Sequence, residues 1–417
     1  MTLDASARPV SQDPPSTKWF MLTIVTLGFV VMTVNWFNIA TGFGPISEEF
    51  DLTISSVALL ISVFVAAYGL IHIPGGFLAT KWGLRRTLAL GLAVEGVGAL
   101  LSAGAQSYTQ LMICRVLCGA GASVFAAVGI AAVSIWFRQR HHALALGISS
   151  AGFSIGTALG LYAWAEITEA TSWRLSLAVG AVACLLVALA SAVWFRVPRG
   201  SSSLQGVNLT ADGLRQSLTN RDVWLFGLAF FGAYGAYIAG TQLIADYGGE
   251  RGISGFQISA AAFVIGIAGV PGSVAGGWLA DRFFSTRTLF VVGAMLEGAF
   301  LISVPLSGPS TFWIPAFGIG FMFNFTFAVW QTIPGDTPAI APENIGTAIG
   351  LMLTVSAVGG FVLPWAYGQI APRSSYGSAW VFMGIVAIAT AAIGLLATRR
   401  HAKPTIRTEL AAALPQS

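Results

Sequence analysis

The sequence predicts an all-α integral membrane protein with twelve spanning helices in two similar six-helix halves. Three observations predict it. Charged residues make up 9% of the 417 positions and hydrophobic ones 55%, far from the roughly 25% charge of a soluble domain. Apolar runs of about 20 residues, the length that crosses a hydrocarbon core, recur along the chain. A glycine-opened basic turn is written twice, GGFLATKWGLRRT from Gly75 and GGWLADRFFSTRT from Gly276, with starts 201 positions apart.

A polar tail, 1–18, precedes the first run, and no small-residue cleavage pattern follows that run, so it reads as a span and not a signal peptide. The N-terminal half, 19–195, holds runs near Trp19–Ile39, Ser55–Ala79, Thr87–Ala105, Leu111–Ile135, Leu144–Trp164 and Ser176–Phe195. A linker, 196–222, is rich in Ser, Arg and Gly; it carries a chance-level sequon, Asn208-Leu-Thr210, and a short amphipathic piece near Leu214–Leu218. The C-terminal half, 223–397, holds runs near Val223–Ile244, Ile258–Ala280, Leu289–Leu306, Phe312–Ile333, Thr347–Ile370 and Ala379–Ala397, and a basic tail, 398–417, ends the chain. In each half the second span ends in the glycine-opened turn. The third span then carries an acid before glycine, Glu95-Gly96 and Glu297-Gly298. Parallel six-helix repeats about an axis normal to the membrane are the repeat logic of one large transporter class.

Orientation follows from lysine and arginine. Assigned to the cytoplasm, the even-numbered connections hold Lys81, Arg85, Arg86, Arg138, Arg140, Arg196, Arg199, Arg215, Arg221, Arg282 and Arg287, and the tails add Arg8, Lys18, Arg399, Arg400, Lys403 and Arg407. The opposite side has Arg174, Arg251 and Arg373 beside acids such as Glu48, Glu49, Asp51, Glu166, Glu169, Asp246 and Glu250. Both termini are therefore expected inside, in a bacterial inner membrane. The net charge of +4 reads as a topology signal with no nucleic-acid partner.

The turn resembles the signature loop of the major facilitator superfamily, G-x-L-A-D-[RK]-x-G-[RK]-[RK], with Gly76, Leu78, Ala79, Lys81, Gly83, Arg85 and Arg86 matching. Its echo matches at Gly277, Leu279, Ala280, Asp281 and Arg282, and Arg115 with Gly119 and Gly121 is similar to the family's R-x-x-x-G-x-G motif. The first copy departs from the pattern at Thr80, where the family has aspartate. The resemblance covers essentially the whole chain. It implies that the first loop meets the start of span 11 and its echo the start of span 5. A helix start attracts carboxylates, so Asp281 suits span 5. Before span 11 stand Asp336 and Glu343, and Lys81, Arg85 and Arg86 are expected to pair with them across the halves, so that a latch compensates for Thr80. The alternative is that these charges only set topology. Gly147, Gly152, Gly156 and Gly160 in span 5 and Gly346, Gly350, Gly359 and Gly360 in span 11 fit closely packed helices that rock.

Arg115 is the only lysine or arginine inside a predicted span, and intramembrane ionisable residues mark function by default. Its guanidinium matches carboxylates and planar oxyanions, so one reading makes it the site of the substrate's anionic part; the other makes it structural. Glu95 and Glu297 either hydrogen-bond neighbouring helices as neutral carboxyls or carry protons. His72 is a candidate proton shuttle or a packing histidine. The resemblance implies that spans 1, 4, 7 and 10 surround the cavity, with parts of 2, 5, 8 and 11. Candidate lining residues are Asn35, Trp36, Asn38, Tyr68, Tyr234, Tyr237, Gln242, Asn324, Trp330 and Gln331. Spans 1, 4, 7 and 10 carry no acid centrally, which disfavours cationic cargo.

The expected function is secondary transport of a small organic or inorganic anion by alternating access, with proton coupling open, and with efflux of hydrophobic compounds as the alternative. A non-transporting receptor is the third reading. No P-loop appears, and no enzyme, cofactor or metal is expected: Cys114, Cys118 and Cys184 read as core residues. A monomer in the bilayer is expected.

Overall fold

The computed structural model describes residues 15–52, 54–137, 140–198, 215, 218–337, 339–340 and 344–397. The sequon, most of the linker's amphipathic piece, Arg138, Glu343 and the basic tail lie outside these residues.

Twelve long helices run through the described chain: α1 Pro15–Phe37, α2 Ile54–Trp82, α3 Leu84–Ala103, α4 Tyr108–Phe137, α5 His142–Ala158, α6 Trp173–Trp194, α7 Arg221–Glu250, α8 Gly255–Arg282, α9 Thr286–Ser303, α10 Trp313–Trp330, α11 Ile345–Ile370 and α12 Tyr376–Ala391. Eleven helical stretches are long and apolar enough to cross a membrane, and α2, the twelfth, contains the apolar helix Leu59–His72. Large apolar side chains are exposed on helices of both halves. In α6, Leu186 and Leu189 are more than 60% exposed while Ala181 and Cys184 on the opposite face are fully buried, the pattern of a helix with lipid on one side and protein on the other.

Two short helices extend beyond the apolar runs. After α1 a 3₁₀ turn, Asn38–Gly42, leads into a short helix, Phe43–Phe50. Glu49 ties that helix to the start of α6 by accepting from Trp173 Nε1 at 2.9 Å and from Arg174 Nη2 at 2.5 Å. Helix α5 widens into a π turn at Leu159–Ala163 and continues as Trp164–Ala170. Hydropathy misses the helices Phe43–Phe50 and Trp164–Ala170 because they carry acids, Glu48, Glu49, Glu166 and Glu169, and do not lengthen the apolar run.

Packing repeats between the halves. Helix α2 packs on α4 as α8 does on α10, α1 on α5 as α7 on α11, and α3 on α6 as α9 on α12. The halves meet along α5 with α8 and α2 with α11. The α5/α8 contact requires glycine: a Cβ at Gly277 would strike the Ala143 carbonyl, and one at Gly147 the Ser273 carbonyl.

Candidate functional site

Two aromatic clusters face each other across the middle of the molecule. In the N-terminal half Trp36 packs on Tyr68 (ring centroids 4.7 Å apart), Phe64 and Phe153. In the C-terminal half Tyr237 stacks on Phe323 at 3.7 Å, and Phe230 contacts Phe323, Phe327 and Trp330. The clusters meet at Phe153 and Phe327, 6.3 Å apart. Trp36, Tyr237 and Trp330 are fully buried, whereas Tyr68 and Tyr234 retain 3% and 4% exposure. Tyr234 lies beside Gly360 of α11, the helix that meets α2 next to Tyr68 through Thr354 and Gly69.

Polar pairs run beside the rings. Ser154 Oγ donates to Asn324 Oδ1 at 2.9 Å, and Gln331 Nε2 donates to Ser150 Oγ at 2.7 Å. Because α5 and α10 run antiparallel, the i, i+4 serines of one meet the i, i+7 amides of the other. Thr354 Oγ1 donates to the Gly69 carbonyl at 2.8 Å, joining α11 to α2. Three buried polar atoms of this layer, Trp36 Nε1, Tyr237 Oη and Gln331 Oε1, have no hydrogen-bond partner among the described residues, a cost of about 1–3 kcal/mol each.

Arg115 does not present its guanidinium to this layer. The side chain is 1% exposed and lies over the Phe64 ring, 4.6 Å from its centroid. Its Nη1 donates to the Asn35 carbonyl at 2.9 Å, Nη2 to the Trp36 carbonyl at 3.0 Å and Nε to the Leu60 carbonyl at 3.4 Å. The physical reason is the end of α1. Where the helix tightens to 3₁₀, its last carbonyls lose their intrahelical partners, and a cation satisfies both their hydrogen bonds and the negative end of the dipole. In this state Arg115 therefore holds the break in α1 behind Trp36, and the expectation that it faces the cavity is corrected.

Asn35 and Asn38 also turn away from the centre. Asn35 Nδ2 donates to the carbonyls of Val31 (2.9 Å) and Gly180 (3.0 Å), and a Cβ at Gly180 would come within 2.7 Å of Asn38 Nδ2. Both amides occupy the α1/α6 contact. His72 is buried between α2 and α4, with Nδ1 2.8 Å from Ser123 Oγ and its ring 4.2 Å from Tyr68, in the packing arrangement. Glu95 and Glu297 are fully buried, and neither carboxyl has a hydrogen-bond partner among the described residues; the expected hydrogen bonds to neighbouring helices are not made. The Gln242 side chain lies outside the described ones.

At the end of the molecule carrying the two basic turns, contacts converge on the start of α5. The residue before it, His141, supplies no side-chain cap. Asp281 does so from the other half, accepting from Ala143 N at 3.1 Å and Leu144 N at 2.9 Å. His142 Nδ1 lies 3.3 Å from Asp336 Oδ1. The expected pairing of the first loop with Asp336 is corrected for Arg85, which donates within its own half to the Ala192 (2.6 Å) and Val193 (3.2 Å) carbonyls at the end of α6. The cause is again a helix C-terminus that attracts a cation. Lys81 and Arg86 are exposed, and neither makes an ion pair among the described residues. Arg282 lies over the Trp278 ring of its own helix.

A family model described as Major Facilitator Superfamily matches residues 25–364. The chain belongs to that superfamily. It is 26% identical to a probable nitrate/nitrite antiporter, NarK1, of Thermus thermophilus, over 86% of this chain and 85% of the relative. It is also 26% identical to a probable sulfoacetate transporter, SauU, of Cupriavidus necator, over 86% of this chain and 88% of the relative. The crystal structure of the E. coli fucose:proton symporter FucP superposes with a TM-score of 0.72 at 16% identity, covering 92% of this chain and all of that one, which shows the fold.

The protein is thus an integral membrane transporter of the superfamily and not an enzyme. Of the lining candidates, Trp36, Tyr68, Tyr234, Tyr237, Asn324, Trp330 and Gln331 share the central layer. Sequence reading passed over Ser150 and Ser154, and over Phe153, Phe230, Phe323 and Phe327. The i, i+4 serines on a glycine-rich helix were a visible signal; the phenylalanines had none, because any apolar span contains such residues.

Proposed function

We propose that this superfamily member carries a small organic or inorganic anion across the bacterial plasma membrane by alternating access, as a monomer of two six-helix halves (19–195 and 223–397) with both termini in the cytoplasm. The anion sits between Tyr68 and Tyr234, with Trp36 Nε1–H as a donor and the amides of Asn324 and Gln331 beside it. The observation that carries this reading is the central layer itself: hydroxyl, amide and indole groups with no carboxylate among them, and a buried indole N–H left without an acceptor among the described residues. An anion would satisfy that donor, whereas a cation would find no carboxylate there to offset its desolvation. The named substrates of the relatives, nitrate or nitrite and sulfoacetate, belong to the same chemical class.

Uptake of labelled nitrate, monocarboxylates and sulfonates into proteoliposomes, with and without an imposed pH gradient, tests the proposal. Saturable uptake of at least one is expected, and its response to the gradient decides whether protons accompany the anion. Transport of lipophilic cations with no anion uptake would instead establish the efflux reading.

A further inference from the structure

A cavity of about 560 Å³ opens where the ends of α2, α3 and α6 meet, lined by Lys81, Trp82, Arg85, Arg86 and Arg196 around the Gly83 turn. We propose that it binds the phosphodiester headgroup of an anionic phospholipid of the cytoplasmic leaflet. This rests on the orientation proposed above.

Among the described residues four cations line the cavity and no carboxylate does, and none of the four makes an ion pair. Like charges gathered without a counter-charge repel one another, and an anion relieves the repulsion. The wall is fixed in advance. Arg85 is held by the Ala192 and Val193 carbonyls, the Arg196 carbonyl accepts from Trp136 Nε1 at 3.0 Å, and Phe195 beside it is fully buried.

The echo of this turn shows what is peculiar to the first copy. There Asp281 supplies a carboxylate, and Ser285 Oγ caps α9 by accepting from Thr288 N at 3.2 Å. In the first copy Thr80 replaces the acid, and the residue before α3 is Gly83, whose φ of +80° suits glycine and which has no side chain to cap with. The sequence thus removes from one copy both groups that would compete with an incoming phosphate.

Lipid is the source favoured over free phosphate because of position. The cavity lies at the end of the apolar spans beside Trp82, which is 43% exposed; indole rings mark the headgroup level. Basic pockets between helices on the cytoplasmic side suit anionic headgroups.

The test is thermal unfolding of delipidated protein in detergent with phosphatidylglycerol, phosphatidylcholine or inorganic phosphate added. Phosphatidylglycerol should raise the Tm of the parent and of Arg287→Gln, a control in the echo turn, by about 5 °C. The Lys81→Gln/Arg86→Gln variant should lose more than half of that rise. An undiminished rise in that variant, or an equal rise with phosphatidylcholine, overturns the site. An equal rise with inorganic phosphate overturns the lipid assignment. If the double variant cannot be purified, a photoactivatable phosphatidylglycerol on the parent decides: adducts on the peptides spanning 81–86 or 195–197 support the site, and adducts elsewhere overturn it. The measurement is made in detergent, so an error in orientation or in the anion reading leaves it unchanged and is detected separately.

Discussion

Asp281, at the end of α8, accepts the amide N–H of Leu144, in the first turn of α5, at 2.9 Å across the boundary between the two halves. Its other oxygen accepts from Ala143 at 3.1 Å, so one carboxylate satisfies two of the four N–H groups that a helix start leaves open. The cap comes from the opposite half, so it exists only while the halves are together at this end. A local structural device becomes a conformational one.

Asp281→Ala should therefore favour the state open at this end. Losing a cap costs about 0.5–2 kcal/mol, a shift in population of about five-fold. Thr347, buried near the start of α11, provides the probe: with Thr347→Cys in the background, labelling from the cytoplasmic side should speed up about five-fold. Arg85→Ala should leave the labelling rate unchanged, because Arg85 bonds within its own half. Acceleration by Arg85→Ala alone would restore the cross-half latch and displace the cap.

Substrate recognition is separable from this closure. Trp36→Phe keeps the ring contacts with Tyr68 and Phe153 but removes the N–H left without a protein acceptor. A hydrogen bond to a charged group contributes about 1.5–3 kcal/mol, so KM for the anion should rise at least about ten-fold with Tm nearly unchanged. An unchanged KM would place the anion away from Trp36.

Orientation has a direct test. Single cysteines at position 203 and in place of Glu48 should differ when intact cells are treated with an impermeant maleimide, with only the second labelled. Glu48 is chosen over its neighbour because Glu49 holds Trp173 and Arg174. Labelling at 203 would invert the assignment and move the Lys81/Arg86 cavity to the outer leaflet.

The fold was legible because lipid imposes a coarse rule, and the twelve apolar runs obey it to within a few residues. The Asp281 contact was legible too, since the repeated turn, with the family resemblance, pointed the carboxylate at the start of α5. Side-chain direction around the axis was not. Asn35 and Trp36 are adjacent, yet one faces Gly180 on α6 and the other faces Phe153 on α5. Only the packing of a third helix decides which residue meets the centre. The roles of Arg85 and Arg115 stayed open between two readings for one shared reason: both satisfy backbone carbonyls at helix C-termini, and the sequence shows charged groups but not the carbonyls they find.

That reason sets the outcome for Arg115. Removing its guanidinium leaves the carbonyls of Asn35 and Trp36 buried without their donors, each costing about 1–3 kcal/mol. A lysine at 115 keeps the charge, but a single ammonium lacks the fork that spans carbonyls on α1 and α2. Arg115→Lys and Arg115→Gln should therefore both lower the Tm and the yield of monodisperse protein, Gln more than Lys. The folded fraction should bind the anion within about three-fold of the parent, because Arg115 stands behind Trp36 and not beside the substrate. Binding measured on purified, monodisperse protein separates stability from recognition. A folded Arg115→Gln with unchanged Tm and no binding would show that the guanidinium leaves the α1 carbonyls for the substrate during the transport cycle, and would return Arg115 to the site.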